Sequence, residues 1–367
     1  MPLMPNTPTS VATATTAAHP TLVGPVADHL PALLEALRPS QTFLLADGNT
    51  ARHCLPVLRA ACPAFAKTPV IAVAAGEQHK TVAAAERVWQ ALITARADRH
   101  ALLVNLGGGV VTDLGGFAAG CYKRGVRFAH VPTTVLGQVD AALGGKTGVD
   151  FGGVKNSVGL FRMPEAVVAD PAFLATLPPR EVRSGMAEMY KHALIDGPDH
   201  WLRLKATQGA LLGRLDLTEL LRDSQRVKLD IVAADPHEAG LREALNLGHS
   251  VGHALESVLL GTPHEALHGE AIAAGLICEA YLSERLTGLG ADAVADIEET
   301  LLRVYGKLTL RANRLATVLA LLANDKKNRG GRLRMSLLRR IGEPRVGVRV
   351  DPDDVEDALR RYLALKA

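Results

Sequence analysis

The first half of this 367-residue chain repeats one pattern, a short apolar run that stops at a polar or glycine-rich turn. The runs cover residues 41–46, 70–73 and 101–106, and the turns that follow them cover residues 47–49, 76–77 and 107–109. Short apolar runs that alternate with helical stretches are typical of α/β folds with a parallel sheet. Ligands of such sheets gather at the carboxyl ends of the strands, so the three turns predict one nucleotide-binding crevice.

The pattern changes near residue 178, where the strand-like runs fade and long amphipathic stretches begin. These stretches cover residues 187–195, 224–233, 245–260 and 270–286. A chain of 367 residues exceeds the usual size of a single core, which favours two domains. We therefore predict an N-terminal Rossmann-like α/β domain with a parallel sheet that binds a nucleotide, followed by a mainly α-helical domain. Their expected ranges are 21–178 and 179–367, after a frayed extension over 1–20.

The glycine turn at residues 107–109 lies between a strand-like run and a helical stretch. Its backbone N–H groups could bind a pyrophosphate at the N-terminus of that helix. It departs from the GxGxxG fingerprint because Thr112 stands where the third glycine would be. No acidic residue is clearly placed on a following strand to bind a ribose. A tight turn that lets the helix pack closely explains the glycines equally well, so both interpretations stay open.

Three segments of the second half contain the side chains of a catalytic metal site: Glu188, then His249 with His253, then His268. A carboxylate and two imidazoles leave one position of a zinc ion open to water or substrate. His249 and His253 are four residues apart and share one helix face, so spacing alone allows both to be ligands. Ser250 follows His249 where HExxH proteases have their glutamate, so the protease interpretation lacks its catalytic base. A lone helical histidine is usually structural, but the polar residues nearby favour a site. Because these candidates and the glycine turn fall in different domains, we expect an active-site cleft between the domains.

Basic residues form the other candidate cluster, since many of them interrupt glycine-rich or apolar stretches. They are Lys123, Arg124, Lys146, Lys155, Lys191, Lys228, Arg242, Lys326 and Lys327. Several donors of this kind suit an anionic substrate, because phosphate takes several donors and carboxylate prefers an arginine fork. Any one of these lysines alone would more often be an ordinary solvated residue.

Composition narrows the classes of protein further. Net charge is +3, from 41 Lys and Arg against 38 Asp and Glu, without a block of like charges. This pattern does not indicate a nucleic-acid-binding arm or a membrane-binding patch. The four cysteines form no CxxC pair, which is typical of a reducing cytosol. No apolar run reaches the roughly 18 residues of a membrane-spanning helix, and the first twenty residues do not resemble a signal peptide. We expect a soluble, cytoplasmic protein.

Taken together, the segments resemble the 3-dehydroquinate synthase family from about residue 40 to the C-terminus. The motifs that carry the resemblance are residues 107–113, 131–134, 138–140, 144–147, 155–156, 176–180, 187–191, 246–249, 252–253 and 267–270. Leu247 and Ser250 depart from the family pattern, since many relatives have an aromatic residue and a threonine there. The related iron- or zinc-dependent polyol dehydrogenases share the fold and a similar glycine turn, but not the lysine-rich middle section.

The resemblance implies a role for each candidate residue. Glu188, His249 and His268 would bind a divalent metal, zinc being expected and cobalt the alternative, while His253 would face the substrate. Contacts with NAD are implied for Asp47, Asn49, Glu77, Lys80, Gly108, Gly109, Val110, Asp113, Thr133, Thr134, Lys146, Lys155, Phe173, Thr176 and Leu177. Catalytic and substrate contacts are implied for Arg124, Asp140, Lys146, Lys155, Asn156, Lys191, Lys228, Arg242, Asn246, His253, Lys326 and Lys327. The resemblance does not distinguish Lys326 from Lys327.

The implied reaction converts 3-deoxy-D-arabino-heptulosonate 7-phosphate into 3-dehydroquinate and phosphate, in the shikimate pathway to chorismate and the aromatic amino acids. NAD would be used and regenerated in each turnover. Alternatives are a cyclase for sedoheptulose 7-phosphate or glucose 6-phosphate, a polyol dehydrogenase that releases NADH, and a noncatalytic binding module. Arg242, with Asn246 and His253, favours the first reaction because an arginine suits the carboxylate of its substrate. A homodimer is expected from base rates and from the family.

Overall fold

The computed structural model describes residues 20–207, 217–323 and 333–365. The strands are β1 (Thr21–Val23), β2 (Thr42–Asp47), β3 (Val70–Val73), β4 (Leu102–Gly107), β5 (Arg127–Pro132), β6 (Lys146–Phe151), β7 (Val154–Phe161), β8 (Val167–Ala169), β9 (Leu333–Arg340) and β10 (Glu343–Val350). The α-helices are α1 (Val26–Leu37), α2 (Gly48–His53), α3 (Leu55–Ala61), α4 (Val82–Thr94), α5 (Gly109–Cys121), α6 (Pro179–Asp196), α7 (Pro198–Ala206), α8 (Thr218–Ala234), α9 (His249–Leu259), α10 (His268–Thr287), α11 (Ala291–Tyr305), α12 (Leu315–Ala323) and α13 (Pro352–Ala364).

Six strands of the first half form one parallel sheet in the order β1-β8-β5-β4-β2-β3. Every residue of the central strand β4 is buried, because helices cover both faces of the sheet. The chain runs outward from β2 to β3 and then returns to β4 before continuing to β5 and β8. The strand order therefore reverses between β2 and β4, where parallel sheets commonly bind nucleotides. The predicted α/β architecture is confirmed.

The second half is mainly helical and packs around α10. Fourteen residues of this 20-residue helix are buried, as expected of a helix with neighbours on all sides. α6, α9, α11 and α13 all contact it, so α10 connects the elements that surround the candidate metal ligands. Within the described ranges, none of the helices is long and apolar enough to cross a membrane.

Two details of the second half differ from the sequence expectation. The helix expected over residues 245–260 begins at His249. A 3-10 turn covers Leu241–Asn246, and Gly248, with φ +79°, separates this turn from the α-helix. The expectation that strands fade after residue 178 misses the antiparallel hairpin of β9 and β10. The apolar residues of β9 contact the helical core, so tertiary packing stabilises strands that their many arginines obscure in the sequence.

A buried histidine in the sheet predicts how stability depends on pH. His130 on β5 is 2% exposed, its Nδ1 lies 3.1 Å from Asn105 Nδ2, and burial lowers the pKa of His130 to about 3. Between the ordinary histidine pKa of about 6.5 and this value, the unfolded chain binds a proton that the folded chain does not. The free energy of unfolding should therefore fall on acidification by about 1.4 kcal/mol per pH unit from this residue.

Urea unfolding at pH 6.0, 5.0 and 4.5 measures this slope. His130→Gln keeps an amide beside Asn105 but does not titrate, so its slope should be smaller by the contribution of His130. Equal slopes for the two proteins would show that His130 titrates normally in the folded state.

Candidate metal and substrate site

Three helices of the second half bring one carboxylate and two imidazoles together. Glu188 lies in the middle of α6, whereas His249 and His268 are the first residues of α9 and α10. Glu188 Oε1 is 3.4 Å from His249 Nε2 and 3.3 Å from His268 Nε2. Two ligands that each lie about 2.0–2.1 Å from a tetrahedral ion are about 3.3–3.4 Å apart. Both distances from Glu188 therefore match the spacing of two ligands on one divalent metal ion.

Both imidazoles are also oriented for metal binding. His249 Nδ1 donates to the carbonyl oxygen of Leu247 at 3.1 Å, and His268 Nδ1 donates to Glu256 Oε2 at 3.1 Å. A carbonyl and a carboxylate accept hydrogen bonds, so in each ring Nδ1 carries a proton and Nε2 points toward Glu188. Metal-binding histidines in proteins are usually held in this way by an acceptor behind the ring. This donor set fits zinc or cobalt.

His253 lies one helical turn after His249 and close to the same cluster. The ligand-type atoms of His249, His253 and His268 all lie within 4.8 Å of one another. Glu188 is fully buried beneath the cluster, whereas His253 is exposed. This geometry allows His253 either to bind the metal or to face the substrate, so its role stays a prediction.

The position of His249 depends on how α9 begins. Gly248 has a positive φ, which favours glycine, and it offers no side chain to cap the helix. Glu279, from the middle of α10, accepts the N–H of Gly248 at 2.5 Å and of Val251 at 3.3 Å. This carboxylate is fully buried, and the helix dipole favours an anion at the N-terminus of α9. α10 therefore positions both candidate histidine ligands, His268 directly and His249 through Glu279.

The start of α10 is anchored to α6 by Arg180. Its Nε and Nη2 donate to the two carboxylate oxygens of Glu270 at 2.7 Å each, and Glu270 Oε2 also accepts the N–H of Leu267 at 2.9 Å. A Cβ atom at Gly269 would lie 1.8 Å from the carbonyl oxygen of Ser184, so glycine is needed for this close approach. Glu270 therefore caps the N-terminus of α10 beside His268, and both of its carboxylate oxygens accept hydrogen bonds from Arg180.

A cluster of buried charges adjoins Glu188. The Lys191 ammonium contacts Glu188 Oε2 and lies 3.6 Å from Asp140 Oδ1. Lys228 Nζ donates to Asp140 Oδ1 at 2.7 Å and to the Asp140 carbonyl at 2.6 Å. Asp140 lies on a π-helical turn, Gly137–Ala141, and such turns are frequent at functional sites. The Asp140 carboxylate thus lies close to two ammonium groups. They adjoin the metal-type cluster, by which we mean Glu188, His249 and His268.

His192 is a further member of this cluster. It is fully buried, with Nδ1 2.7 Å from Ser224 Oγ and Nε2 3.6 Å from Asp140 Oδ1. Asp140, Glu188 and His192 also offer ligand atoms within 4.8 Å of one another. The ammonium groups described above already lie against both carboxylates, which disfavours a second cation at this position.

The hairpin of β6 and β7 brings two lysines against the helical half. Lys146 Nζ pairs with Glu238, which also accepts a hydrogen bond from Asn246 Nδ2 at 3.0 Å. Lys155 Nζ donates to Glu256 Oε1 at 2.7 Å. The side chains of Lys146 and Lys155 are 48% and 43% exposed, so each ammonium group remains accessible to an anion.

Arg242 is held in a fixed orientation against the segment that precedes β6. It is 2% exposed, and its Nη1 and Nη2 donate to the carbonyl oxygens of Pro236 at 2.8 Å and Gly144 at 3.0 Å. A guanidinium has five N–H groups, so donors remain for a carboxylate. The two carbonyl contacts hold the side chain in place.

The charges of the metal-type cluster follow from its contacts. Burial raises the pKa of Glu188, but Lys191 and His249 outweigh this effect and hold that pKa well below its usual range. Burial lowers the pKa of His249. Burial also opposes protonation of His268, but hydrogen bonds to Glu188 and Glu256 raise the pKa of His268 to about 9 overall. The metal-free site thus pairs an anionic Glu188 with a cationic His268.

The residues expected to bind NAD lie around the carboxyl ends of the parallel strands. They are Asp47, Asn49, Glu77, Lys80, Gly108, Gly109, Val110, Asp113, Thr133, Thr134, Phe173, Thr176 and Leu177. Lys80 is buried, and its Nζ lies 2.8 Å from Glu77 and 3.4 Å from Asp113. Asp47 caps α2 by accepting the N–H groups of Asn49 and Thr50, each at 2.8 Å. Acidic groups and a helix N-terminus therefore line this edge of the sheet.

The glycines of this region serve close packing as well as the turn. A Cβ atom at Gly108 would lie 2.9 Å from Thr134 Cγ2, and one at Gly115 would lie 2.0 Å from Asn105 Oδ1. β4 ends at Gly107 and α5 begins at Gly109, so the turn also presents the N-terminus of a helix. The two interpretations of the turn are therefore compatible.

Two family models match consecutive parts of the chain. The model for the N-terminal part of 3-dehydroquinate synthase matches residues 70–184, and the model for its C-terminal part matches residues 185–328. The chain belongs to the 3-dehydroquinate synthase family. The 3-dehydroquinate synthase of Parabacteroides distasonis is 39% identical over 329 residues, which cover 90% of this chain and 93% of that protein. The resemblance that the motifs indicated is confirmed.

Solved structures of sugar-phosphate cyclases have the same fold. 2-Epi-5-epi-valiolone synthase from Streptomyces hygroscopicus, with NAD+ and Zn2+ bound, superposes with a TM-score of 0.85 at 28% identity, covering 96% of this chain and 99% of that one. 2-Deoxy-scyllo-inosose synthase, complexed with carbaglucose-6-phosphate, NAD+ and Co2+, superposes with a TM-score of 0.82 at 25% identity, covering 93% and 96%. Both of these solved structures contain NAD+ and a divalent metal ion.

Two residues that the family resemblance implied, Arg124 and Asn156, are exposed. Arg124 is exposed and follows the C-terminal end of α5, about 20 Å along that helix from the glycine turn. Asn156 is exposed on β7, and its backbone N–H donates to Asp150 Oδ1 at 2.8 Å. Lys326 and Lys327 lie outside the described residues.

The sequence patterns did not point to Glu238, Glu256, Glu279 or His192. Glu256 follows His249 by seven residues and His253 by three, so the helix face they share was an available signal. Glu238 contacts Lys146 and Glu279 contacts Gly248, which are distant in sequence, so no local pattern predicts these contacts.

Proposed function

We propose that this chain converts 3-deoxy-D-arabino-heptulosonate 7-phosphate into 3-dehydroquinate and inorganic phosphate. The observation that carries the proposal is the position of Glu188. It belongs to the metal-type cluster and also contacts Lys191, which with Lys228 forms the buried lysine cluster. The same cleft can therefore hold a divalent cation next to ammonium groups suited to a phosphate. Membership of the 3-dehydroquinate synthase family supports the same reaction.

The reaction needs two groups that the residues fit. When bound, NAD accepts a hydride from the substrate and returns it, and the divalent metal polarises an alcohol oxygen. We propose zinc, held by Glu188, His249 and His268, because this ligand set is typical of catalytic zinc sites. Cobalt, which is present in the solved 2-deoxy-scyllo-inosose synthase, is the alternative.

The lysines of the chain would bind the substrate phosphate and stabilise its departure. Oxidation of the substrate at C5 makes the neighbouring C6 proton acidic, so phosphate can leave by β-elimination, with the phosphate itself taking the proton. Lys146, Lys155 and Asn156 on the hairpin, with Lys191 and Lys228 beneath the cleft, would stabilise the developing negative charge.

The remaining steps replace the oxygen-containing sugar ring with a ring of carbon atoms. C5 is reduced again, the sugar ring opens, and the enol carbon attacks the carbonyl group in an intramolecular aldol addition. These steps need a cavity that holds one conformation of the substrate. Asn246 and His253 would relay protons among the substrate hydroxyl groups, and Arg242 would bind its carboxylate.

A second candidate function is that of another sugar-phosphate cyclase, because the solved relatives are two synthases with different products. Such an enzyme would use sedoheptulose 7-phosphate or glucose 6-phosphate. The fixed position of Arg242 favours the heptulosonate, since these two sugar phosphates have no carboxylate for a guanidinium to bind. A polyol dehydrogenase would instead release NADH.

Phosphate release from the heptulosonate, with absorbance at the NADH band followed in parallel, tests the proposal. We expect phosphate release that requires NAD, stops when a chelator removes the metal, and produces no net NADH. Phosphate released only from sedoheptulose 7-phosphate or glucose 6-phosphate would replace the proposed substrate. Accumulating NADH would identify a dehydrogenase.

We also propose that the chain acts as a cytoplasmic homodimer, without nucleic-acid or membrane partners. The β6–β7 hairpin supports the dimer, because Phe151, Val154 and Phe161 are 63%, 57% and 56% exposed. Apolar side chains grouped in this way commonly mark protein interfaces. We place the domain boundary at residues 178–179, where α6 begins.

A further inference from the structure

Glu256 contacts both functional clusters of the site at once. It lies on α9 one turn beyond His253, and its side chain is 14% exposed. Its Oε2 accepts a hydrogen bond from His268 Nδ1 at 3.1 Å, and its Oε1 accepts one from Lys155 Nζ at 2.7 Å. Each carboxylate oxygen therefore serves a different partner, one a candidate metal ligand and the other a candidate phosphate-binding group.

The contact with His268 determines which ring nitrogen faces the metal position. An imidazole that donates from Nδ1 presents Nε2 on its other side, and His268 Nε2 lies 3.3 Å from Glu188 Oε1. Without an acceptor at Nδ1, the ring could rotate or adopt the other tautomer. Carboxylates that support metal-binding histidines in this way typically change metal affinity about 10–100-fold when they are removed.

The contact with Lys155 crosses from one half of the chain to the other. Lys155 lies on β7, whereas Glu256 and His268 lie on α9 and α10. A Lys–Glu pair with an exposed lysine contributes little to the free energy of unfolding. This contact is therefore of little importance for stability. Its consequence is positional, because it holds the Lys155 ammonium on the carboxylate that also contacts His268, a candidate metal ligand.

We propose that Glu256 is a positioning residue that orients His268 for metal binding and Lys155 for phosphate binding as one hydrogen-bonded unit. The inference rests on the proposed function in one respect, that the metal is held by Glu188, His249 and His268. It adds a coupling between the metal and the phosphate group of the substrate. Loss of Glu256 should weaken the binding of both, whereas loss of Lys155 should weaken only that of phosphate.

Zinc affinity of the metal-free protein, measured by competition with a chromophoric chelator, tests the first half of the proposal. We expect Glu256→Gln to bind zinc about 10–100-fold more weakly than the unaltered chain. Lys155→Met leaves the bond between Glu256 and His268 in place, so its zinc affinity should stay within about threefold. Glu299→Gln is the matched control, because Glu299 is an exposed residue of α11 paired with Arg303, and it should bind zinc normally.

The inhibition constant of inorganic phosphate, measured at saturating zinc, tests the second half. Lys155→Met and Glu256→Gln should both raise it, since the first removes the ammonium group and the second releases it from its position. A role of Glu256 confined to the metal shell would leave phosphate inhibition unchanged in Glu256→Gln and would overturn the coupling.

Two further outcomes are decisive, and a second variant covers a failure to fold. Glu256→Gln that binds zinc as tightly as the unaltered chain would overturn the proposal, whatever its activity. An unaltered chain that binds no zinc would instead contradict the metal site on which the proposed function depends. If Glu256→Gln does not fold, Glu256→Asp keeps the charge but withdraws it by one methylene, and it should still weaken zinc binding at least fivefold.

Discussion

His268→Ala is expected to lose bound zinc and phosphate release together, whereas His253→Ala is expected to keep its zinc. His268 Nε2 points at Glu188 Oε1, and its ring is held from behind by Glu256, so its removal leaves too few ligands for a stable site. The activity of His268→Ala should fall at least about 10³-fold, because a catalytic metal contributes several kcal/mol. His253→Ala should lose about 10²–10⁴-fold as a proton-transfer group, with zinc still bound.

Zinc content per chain after dialysis, measured by atomic absorption, separates the two histidines. His264→Ala is the control, because His264 is exposed in the segment just before α10, and it should keep both zinc and activity. Equal loss of zinc from His253→Ala and His268→Ala would make His253 a ligand. The spacing of the three histidine rings would allow that result.

Local patterns were sufficient to predict the parallel sheet and the helices around the site. β4 is apolar except for Asn105 and Gly107 and is buried throughout, as expected of a strand that helices cover on both faces. The pairing of strands into one sheet also follows from the alternation of strands and helices. The sequence likewise singled out Glu188, His249 and His268 as polar residues on largely buried helices, and the structure brings them together; their binding of a metal stays a prediction.

Contacts between distant segments were beyond these patterns. The start of α9 depends on Gly248 and on Glu279, which lie 31 residues apart and meet only when α9 packs on α10. The contact between Lys146 and Glu238 joins residues 92 positions apart. In a sequence, a glutamate that will be buried cannot be distinguished from one on the surface unless its hydrogen-bond partners are known.

Lys191→Met is expected to destabilise the metal-free protein by about 3–5 kcal/mol, because it leaves buried carboxylates without their partner. The side chain of Lys191 is 1% exposed and lies between Glu188 and Asp140. Asp140 keeps Lys228, but Glu188 is fully buried and would depend on His268 for its positive charge. Methionine fills a similar volume, so the effect reports the loss of charge more than the loss of packing.

Bound zinc should reduce this cost, since a cation at Glu188 replaces part of the charge that Lys191 supplied. Urea unfolding of the metal-free and zinc-loaded forms gives the free energy of unfolding of each, and the variant should gain more from zinc than the unaltered chain does. Lys205→Met is the matched control, because Lys205 pairs with Asp296 near the surface and its loss should cost at most about 1 kcal/mol in either form. The same destabilisation in both forms of Lys191→Met would mean that zinc does not share Glu188 with the buried lysine cluster. A smaller cost with zinc would show that one carboxylate couples the metal to the groups proposed to bind phosphate.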